Sequence, residues 1–217
     1  MTQAEQFLVS RGLVLADMSD QRMWSAWAWG GGEQQLKRLR AWDEDLRVRD
    51  EFIGSFGFAV LTDAVIDAVR SLTPILEVGA GSGYWTYELQ KIGLDIIATD
   101  PGTGRYRFYR SSIEESWHAS WCQIERLEGS EAVRRYPDRT LLIVWPDYNM
   151  PWAVDTLRAY AGRRVIYVGE GEGGCTADAA FHDTLETDFQ LTVEIDIPQF
   201  FGLHDRVMIY ARTPREG

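Results

Sequence analysis

Between Ile75 and Asp100 the chain reads as an apolar run, Ile75-Leu76-Glu77-Val78, then Gly79-Ala80-Gly81-Ser82-Gly83, then a helical pattern from Tyr84 to Ile92. A second apolar run, Leu94 to Thr99, closes on Asp100. This is strand, glycine turn, helix, strand, a unit whose two strands must lie parallel because a helix crosses between them. Alternate glycines belong where the backbone bends sharply and approaches a ligand with no Cβ in the way. A carboxylate about 20 residues beyond such a turn can accept both hydroxyls of a ribose. The unit therefore predicts an adenosine-type cofactor at the carboxyl edge of a parallel sheet; the bare alternative is a tight strand–helix turn with no ligand.

Which adenosine cofactor follows from the spacing. A dinucleotide fingerprint needs G-x-G-x-x-G with the helix N-terminus facing a pyrophosphate. Here the third glycine, Gly83, comes one residue early, Tyr84 stands in the dinucleotide position, and Glu77 precedes the first glycine by two. An acid there repels a pyrophosphate and suits a cofactor carrying a sulfonium and an ammonium. The order E-x-G-x-G-x-G followed by an aromatic resembles motif I of the class I S-adenosylmethionine (SAM)-dependent methyltransferases. That resemblance implies SAM as cofactor, with Glu77, Gly79, Ala80, Gly81, Gly83, Tyr84 and Trp85 around its amino-acid and ribose portions and Asp100 on the ribose.

The rest of the chain alternates in the same way. Strands are predicted at Cys122–Leu127, Leu141–Trp145 and Arg164–Val168, and helices at Ser130–Arg135, Trp152–Tyr160 and Ala177–Thr187. Leu191–Ile197 and Arg206–Arg212 follow as a strand pair with no helix between, so the final strand is expected antiparallel. The resemblance implies an α/β, Rossmann-like class I methyltransferase fold, a seven-stranded mostly parallel sheet ordered 3-2-1-4-5-7-6 with the last strand reversed. Ahead of it, Gln3–Val14, Gln34–Glu51 and Asp63–Ser71 read as helices, with Thr62 as N-cap of the third. Without repeat, low-complexity tract or linker, residues 1–217 read as one domain, 1–72 a helical N-terminal cap or lid and 73–217 the catalytic core.

Candidate residues cluster after the strands, where ligands bind in such sheets. After strand 3, the resemblance puts Glu128 and Gly129 at the adenine ring; a solvated turn is the alternative. After strand 4 comes Val144-Trp145-Pro146-Asp147-Tyr148-Asn149. Nitrogen-directed methyltransferases often carry Asp/Asn-Pro-Pro-Tyr here, and this chain departs from that twice, at Trp145 and Asp147. The resemblance assigns Trp145 and Pro146 to the cofactor, Asp147 and Tyr148 to catalysis and Asn149 to substrate. A cation over a ring face gains ~0.5–2 kcal/mol, so these aromatics suit a sulfonium or a cationic acceptor. After strand 5, four glycines and two acids fill Gly169–Thr176; Glu170 is a candidate substrate ligand, against a flexible turn. His204, beside Asp205 in the strand 6–7 connection, is a candidate proton carrier. His118 and His182 carry no such context.

Nine tryptophans are present, and Trp24, Trp27 and Trp29 crowd one stretch. These belong either to ordinary core or, with Tyr106, Phe108 and Tyr109, to an aromatic lid that places Trp27, Trp29 and Tyr106 against substrate. The formal net charge of −11 and the lack of a basic run argue against a nucleic-acid partner. No apolar run approaches the ~20 residues of a membrane span, and the N-terminus lacks a basic leader, so a cytoplasmic protein acting without a membrane is expected. Cys122 and Cys175 have no C-x-x-C spacing, and no metal is called for.

The sequence V-W-P-D-Y and the run Tyr167-Val168-Gly169-Glu170-Gly171-Glu172-Gly173-Gly174-Cys175 look like compact bacterial methyltransferase-like proteins. That resemblance implies methyl transfer to nitrogen or oxygen of a small molecule. Two alternatives stay open: attack on the aminocarboxypropyl arm of SAM, by transfer or by closure to a four-membered ring with release of methylthioadenosine, and a non-catalytic SAM-binding regulator.

Overall fold

The computed structural model describes residues 1–13, 46–102, 120–200 and 202–214. Seven strands form one sheet: β1 (Ile75–Val78), β2 (Ile96–Thr99), β3 (Ile124–Glu125), β4 (Thr140–Val144), β5 (Arg164–Gly169), β6 (Phe189–Asp196) and β7 (Arg206–Arg212), in the order β3-β2-β1-β4-β5-β7-β6. β7 runs antiparallel to both of its neighbours and the other pairings are parallel. This is the α/β, Rossmann-like architecture and strand order expected.

The central strands carry apolar side chains on both faces, as parallel strands covered by helices on each side must. Ile75, Leu142, Ile166, Val168, Val207 and Ile209 enter one core. Leu76, Val78, Leu141, Ile143, Val165, Tyr167 and Met208 enter the other. The alternation follows the two-residue period of a strand. It puts Glu77, two residues from Ile75, on the same face as that apolar side chain.

The helices are α1 (Gln3–Ser10), α2 (residues 46–56), α3 (Asp63–Val69), α4 (Tyr84–Lys91), α5 (Gly129–Arg135), α6 (Trp152–Ala159) and α7 (Ala179–Asp188). α1 opens on a capping box, Thr2 with Glu5, and Thr62 caps α3 as predicted, its side chain accepting from Val65 N. α1, α2 and α3 join the core that contains α4. Phe7, Phe52, Phe56, Tyr84 and Trp121 form its aromatic centre, with neighbouring rings 4.9–6.1 Å apart. Among the described residues no helix is long and apolar enough to cross a membrane.

Boundaries shift where a local bond outweighs the apolar pattern. β2 starts at Ile96 rather than Leu94, because Leu94 N closes α4 onto Leu89 O after Gly93 turns left-handed (φ 84°). β3 keeps only two residues of Cys122–Leu127: ahead of it Trp121 N donates to Ser82 O and the Trp121 indole to Ser55 O, drawing the chain off the edge strand. β4 stops before Trp145, whose φ of 51° leaves the strand region. α1 ends at Ser10 instead of Val14, and α2 runs past Glu51 to residue 56; residues 34–45 of the predicted second helix lie outside the described residues.

Tyr84 ties α1 to the sheet. Its hydroxyl accepts from Ala4 N at 2.9 Å, one of the first-turn N–H groups that has no partner inside a helix. Tyr84→Phe leaves that buried donor unsatisfied, so a loss of about 1–3 kcal/mol is expected in urea unfolding. A midpoint unchanged from the parent chain would mean that water serves Ala4 equally well.

Candidate active site

The glycine turn closes β1 in a conformation open to few other residues. Gly79, Gly81 and Gly83 have φ of 72°, 54° and 75°. At Gly79 an added Cβ would lie 2.8 Å from the Trp152 ring, and at Gly83 2.7 Å from Cys122 Sγ. The turn is thus a backbone cradle with neighbours pressed to it. Asp100, at the end of β2, holds it: Oδ2 accepts from Gly81 N at 3.1 Å and Oδ1 from Gly102 N at 2.7 Å. β1 and β2 pair with Val78 beside Thr99, and this register brings the carboxylate to the turn.

A cleft opens above this edge. Its floor is Gly79 to Ser82; its walls include Glu77, Phe56, Phe58, Tyr84, Trp85, Trp145, Asp147 and Trp152. Glu77 is 2% exposed and accepts from Thr86 N and Thr86 Oγ1. Burial pushes its carboxyl up to about 7, against those two bonds. Trp145 is held on several sides. Its left-handed backbone donates to Val168 O, its indole stacks on Phe58 at 4.9 Å, and its Nε1 donates to Asp205 Oδ1 at 2.8 Å. The Arg49 guanidinium stands 5.8 Å from the indole ring. Burial raises the Asp205 carboxyl to about 7.

The predicted residues separate into groups. Glu77, Gly79, Ala80, Gly81, Tyr84, Trp85, Trp145 and Asp147 all line the cleft. Tyr84 is also structural, through Ala4, and Trp85 Nε1 donates to Ala59 O. Asp147 accepts from Trp152 Nε1 at 3.0 Å. Pro146 is buried with its carbonyl accepting from Ala177 N, while Tyr148 and Asn149 are exposed on the loop beyond. Gly129 starts α5, where a Cβ would meet Thr156 and Val78; Glu128 precedes it as an exposed N-cap with no side-chain capping bond.

Glu170 is buried, accepting from Cys175 N at 2.6 Å and from His204 N at 2.7 Å, with His204 Nδ1 3.2 Å away. Burial opposes its charge, but these bonds outweigh it and hold the carboxyl below its ordinary value. It joins the β5 and β6–β7 loops. Cys175 is pushed up to about 12 and Cys122 to about 11 by burial, which suits inert thiols. His182 is buried beside Tyr167. Trp24, Trp27, Trp29, Tyr106, Phe108, Tyr109 and His118 lie outside the described residues. Phe58, Trp152 and Asp205 are site residues that the sequence reading passed over. Asp205 carries a signal only as the neighbour of His204 at the entry to the last strand.

No family model matches the sequence, and no curated protein does. Solved structures of similar fold include many class I SAM-dependent methyltransferases. Magnesium protoporphyrin IX methyltransferase from Synechocystis PCC 6803, with bound SAM, has 12% identity and a TM-score of 0.47, covering 94% of this chain and 97% of that one. The glycopeptide N-methyltransferase MtfA, complexed with S-adenosylhomocysteine, has 12% identity and a TM-score of 0.41 over 72% and 100%. TrmN from Thermus thermophilus has 17% identity and a TM-score of 0.44 over 70% of this chain, which spans about half of that one, 49%.

Glu77 and Asp205 make stability pH-dependent. Their ordinary values are 4.5 and 3.8 and their folded values about 7, so between these limits the folded chain holds more protons than the unfolded. Their stabilising contribution is complete below about pH 4 and is lost as the pH rises to about 7. Asp205→Asn keeps an acceptor for Trp145 and removes one of the two groups. Urea midpoints at pH 5, 6 and 7 are expected to fall less steeply in Asp205→Asn than in the parent; an equal slope would show that Asp205 does not titrate in this window.

Proposed function

We propose that the cleft binds SAM and that the protein is a SAM-dependent methyltransferase acting on nitrogen or oxygen of a small molecule. One observation carries this reading: a three-glycine cradle at the end of β1, gripped by the β2 carboxylate, with a buried acid and aromatic rings and, among the described residues, no basic side chain lining it. The sides that a Cβ would occupy at Gly79 and Gly83 are filled by Trp152 and Cys122, so packing and the left-handed backbone both require glycine in the turn. The surroundings favour a cation over a pyrophosphate.

In this reading Asp100 accepts the ribose hydroxyls on the lone pairs that Gly81 and Gly102 leave over, a carboxylate having about four acceptor sites. Glu77 faces the positively charged amino-acid end. SAM in this position supplies a methyl carbon activated by its sulfonium. Phe58 and Trp145 form a fixed ring pair that excludes water from one side, which favours loss of charge at sulfur. Asp147, held by Trp152, offers a polar contact for the acceptor. Catalysis is then mainly by positioning and desolvation. Residues 1–217 act as one domain, residues 1–72 serving as cap and the remainder as catalytic core, in the cytoplasm and without nucleic acid.

Calorimetry with SAM, S-adenosylhomocysteine and NAD tests the reading: the first two bind and NAD does not. Asp100→Ala is expected to weaken SAM at least tenfold, since hydrogen bonds to a charged group contribute ~1.5–3 kcal/mol each. NAD binding in place of SAM, or undiminished SAM binding in a folded Asp100→Ala chain, would overturn it. The nucleoside product separates methyl transfer, which leaves S-adenosylhomocysteine, from attack on the aminocarboxypropyl arm, which leaves methylthioadenosine.

A further inference from the structure

Glu77 is an acid on an apolar face. It projects from β1 on the side of Ile75, into the core shared with α4, and is 2% exposed. Both of its hydrogen bonds, from Thr86 N at 3.1 Å and Thr86 Oγ1 at 2.5 Å, fall on Oε2. Oε1 accepts nothing from the described residues, yet it is not among the sealed, partnerless polar atoms, and Glu77 lines the cleft. One oxygen is anchored, and the other faces the ligand space.

Among the described residues, the ionisable groups that share the cleft with it are acidic or neutral, and the guanidinium of Arg49, on α2, stands behind the Trp145 ring on the side of Asp205. Asp100 stands at the end of β2, the Cys122 thiol ahead of β3, and Tyr84 and Asp147 share the cleft from α4 and the loop after β4. No lysine or arginine lines the cleft among the described residues. A buried carboxylate with no described cation beside it is shifted toward its neutral form by the cost of desolvating the charge. A cation entering from outside then favours its ionised form.

We propose that Glu77 reads the charge of the ligand: entry of a cation into the cleft is coupled to loss of the Glu77 proton to solvent, so the site selects positive charge and does so less strongly as the pH falls. This rests on the SAM reading of the cleft. Burial sets the Glu77 carboxyl at about 7, which places the coupling near neutral pH. Below that pH one proton leaves for each cation bound, and apparent affinity rises about tenfold per pH unit; above it both effects fade. The cation can be the ammonium of the amino-acid arm or the sulfonium, and the two are separable by probe.

Calorimetry of the full chain from pH 5.5 to 8, in buffers of different ionisation enthalpy, tests the idea with SAM, S-adenosylhomocysteine and methylthioadenosine. Proton release with SAM is expected, and none with methylthioadenosine, which lacks both charges. Release with S-adenosylhomocysteine as well assigns the ammonium; release with SAM alone assigns the sulfonium. Glu77→Gln should abolish release and flatten the pH profile. Thr86→Val, which removes a bond that favours the charged form, should move the midpoint of the parent profile to higher pH and guards against a Glu77→Gln chain that does not fold. SAM binding with no proton release, equal release with methylthioadenosine, or a slope that survives in folded Glu77→Gln and vanishes in Asp205→Asn would overturn the proposal while leaving the SAM reading intact. A folded chain that binds neither SAM nor S-adenosylhomocysteine would overturn both.

Discussion

The carboxylate of Asp100 joins two stretches of backbone that would otherwise have no reason to stay together, accepting from Gly81 N on one oxygen and Gly102 N on the other. A turn through left-handed glycines takes N–H groups out of the strand ladder, and each needs an acceptor. Asp100 supplies one because β2 lies parallel to β1 with Thr99 beside Val78. A slip of one residue would turn the carboxylate to the opposite face. The cleft therefore inherits its shape from strand register. That register is set in turn by apolar side chains filling both faces of the sheet.

The N-terminal helices are fastened to the same place. α4 begins at the glycine turn, and the chain that packs over it bonds to it or to its neighbours: Ala4 N to Tyr84, Trp85 Nε1 to Ala59 O, and the Trp121 indole to Ser55 O. Each indole buries a large apolar area while its single donor finds a carbonyl, the arrangement that makes a buried tryptophan inexpensive. Phe58, just past α2, then lies flat on Trp145 at 14°. One wall of the cleft is therefore built from a segment ahead of β1 and another from the end of β4, and removing the N-terminal segment would strip the cleft as well as the core.

The glycine turn, the acid that follows it and the strand order were legible in the sequence because each rests on local pattern: alternate glycines, a short apolar run ending in aspartate, and two final strands without a crossover helix. What escaped was non-local. Asp205 bonds to Trp145 only because β7 inserts antiparallel beside β5 and brings the β6–β7 connection back to the end of β4, and no spacing encodes that. Trp152 reads as the start of a helix, and its place against Gly79 depends on how α6 docks. The glycines after β5 suggest a flexible loop, whereas Glu170 gathers the N–H groups of Cys175 and His204 and binds that loop to its neighbour.

Three buried acids at this edge of the sheet show how depth of burial and donor count together decide charge. Glu170 receives two backbone N–H bonds and faces a histidine ring, and its carboxyl is held low although burial opposes it. Asp205 has the Trp145 indole as its side-chain donor and the more distant Arg49 charge, and burial prevails. Glu77 has Thr86 on one oxygen and the Asp100 charge nearby, and burial prevails there too. A neutral hydrogen bond returns only about 1 kcal/mol of the several that desolvating a carboxylate costs, so one or two such donors leave a deeply buried acid with its carboxyl raised. A further donor or a cation is needed to tip it. Glu170 has the first within the fold, and its lowered carboxyl binds two loops. Glu77 lacks both within the described residues and faces the cleft, so its charge depends on what enters there.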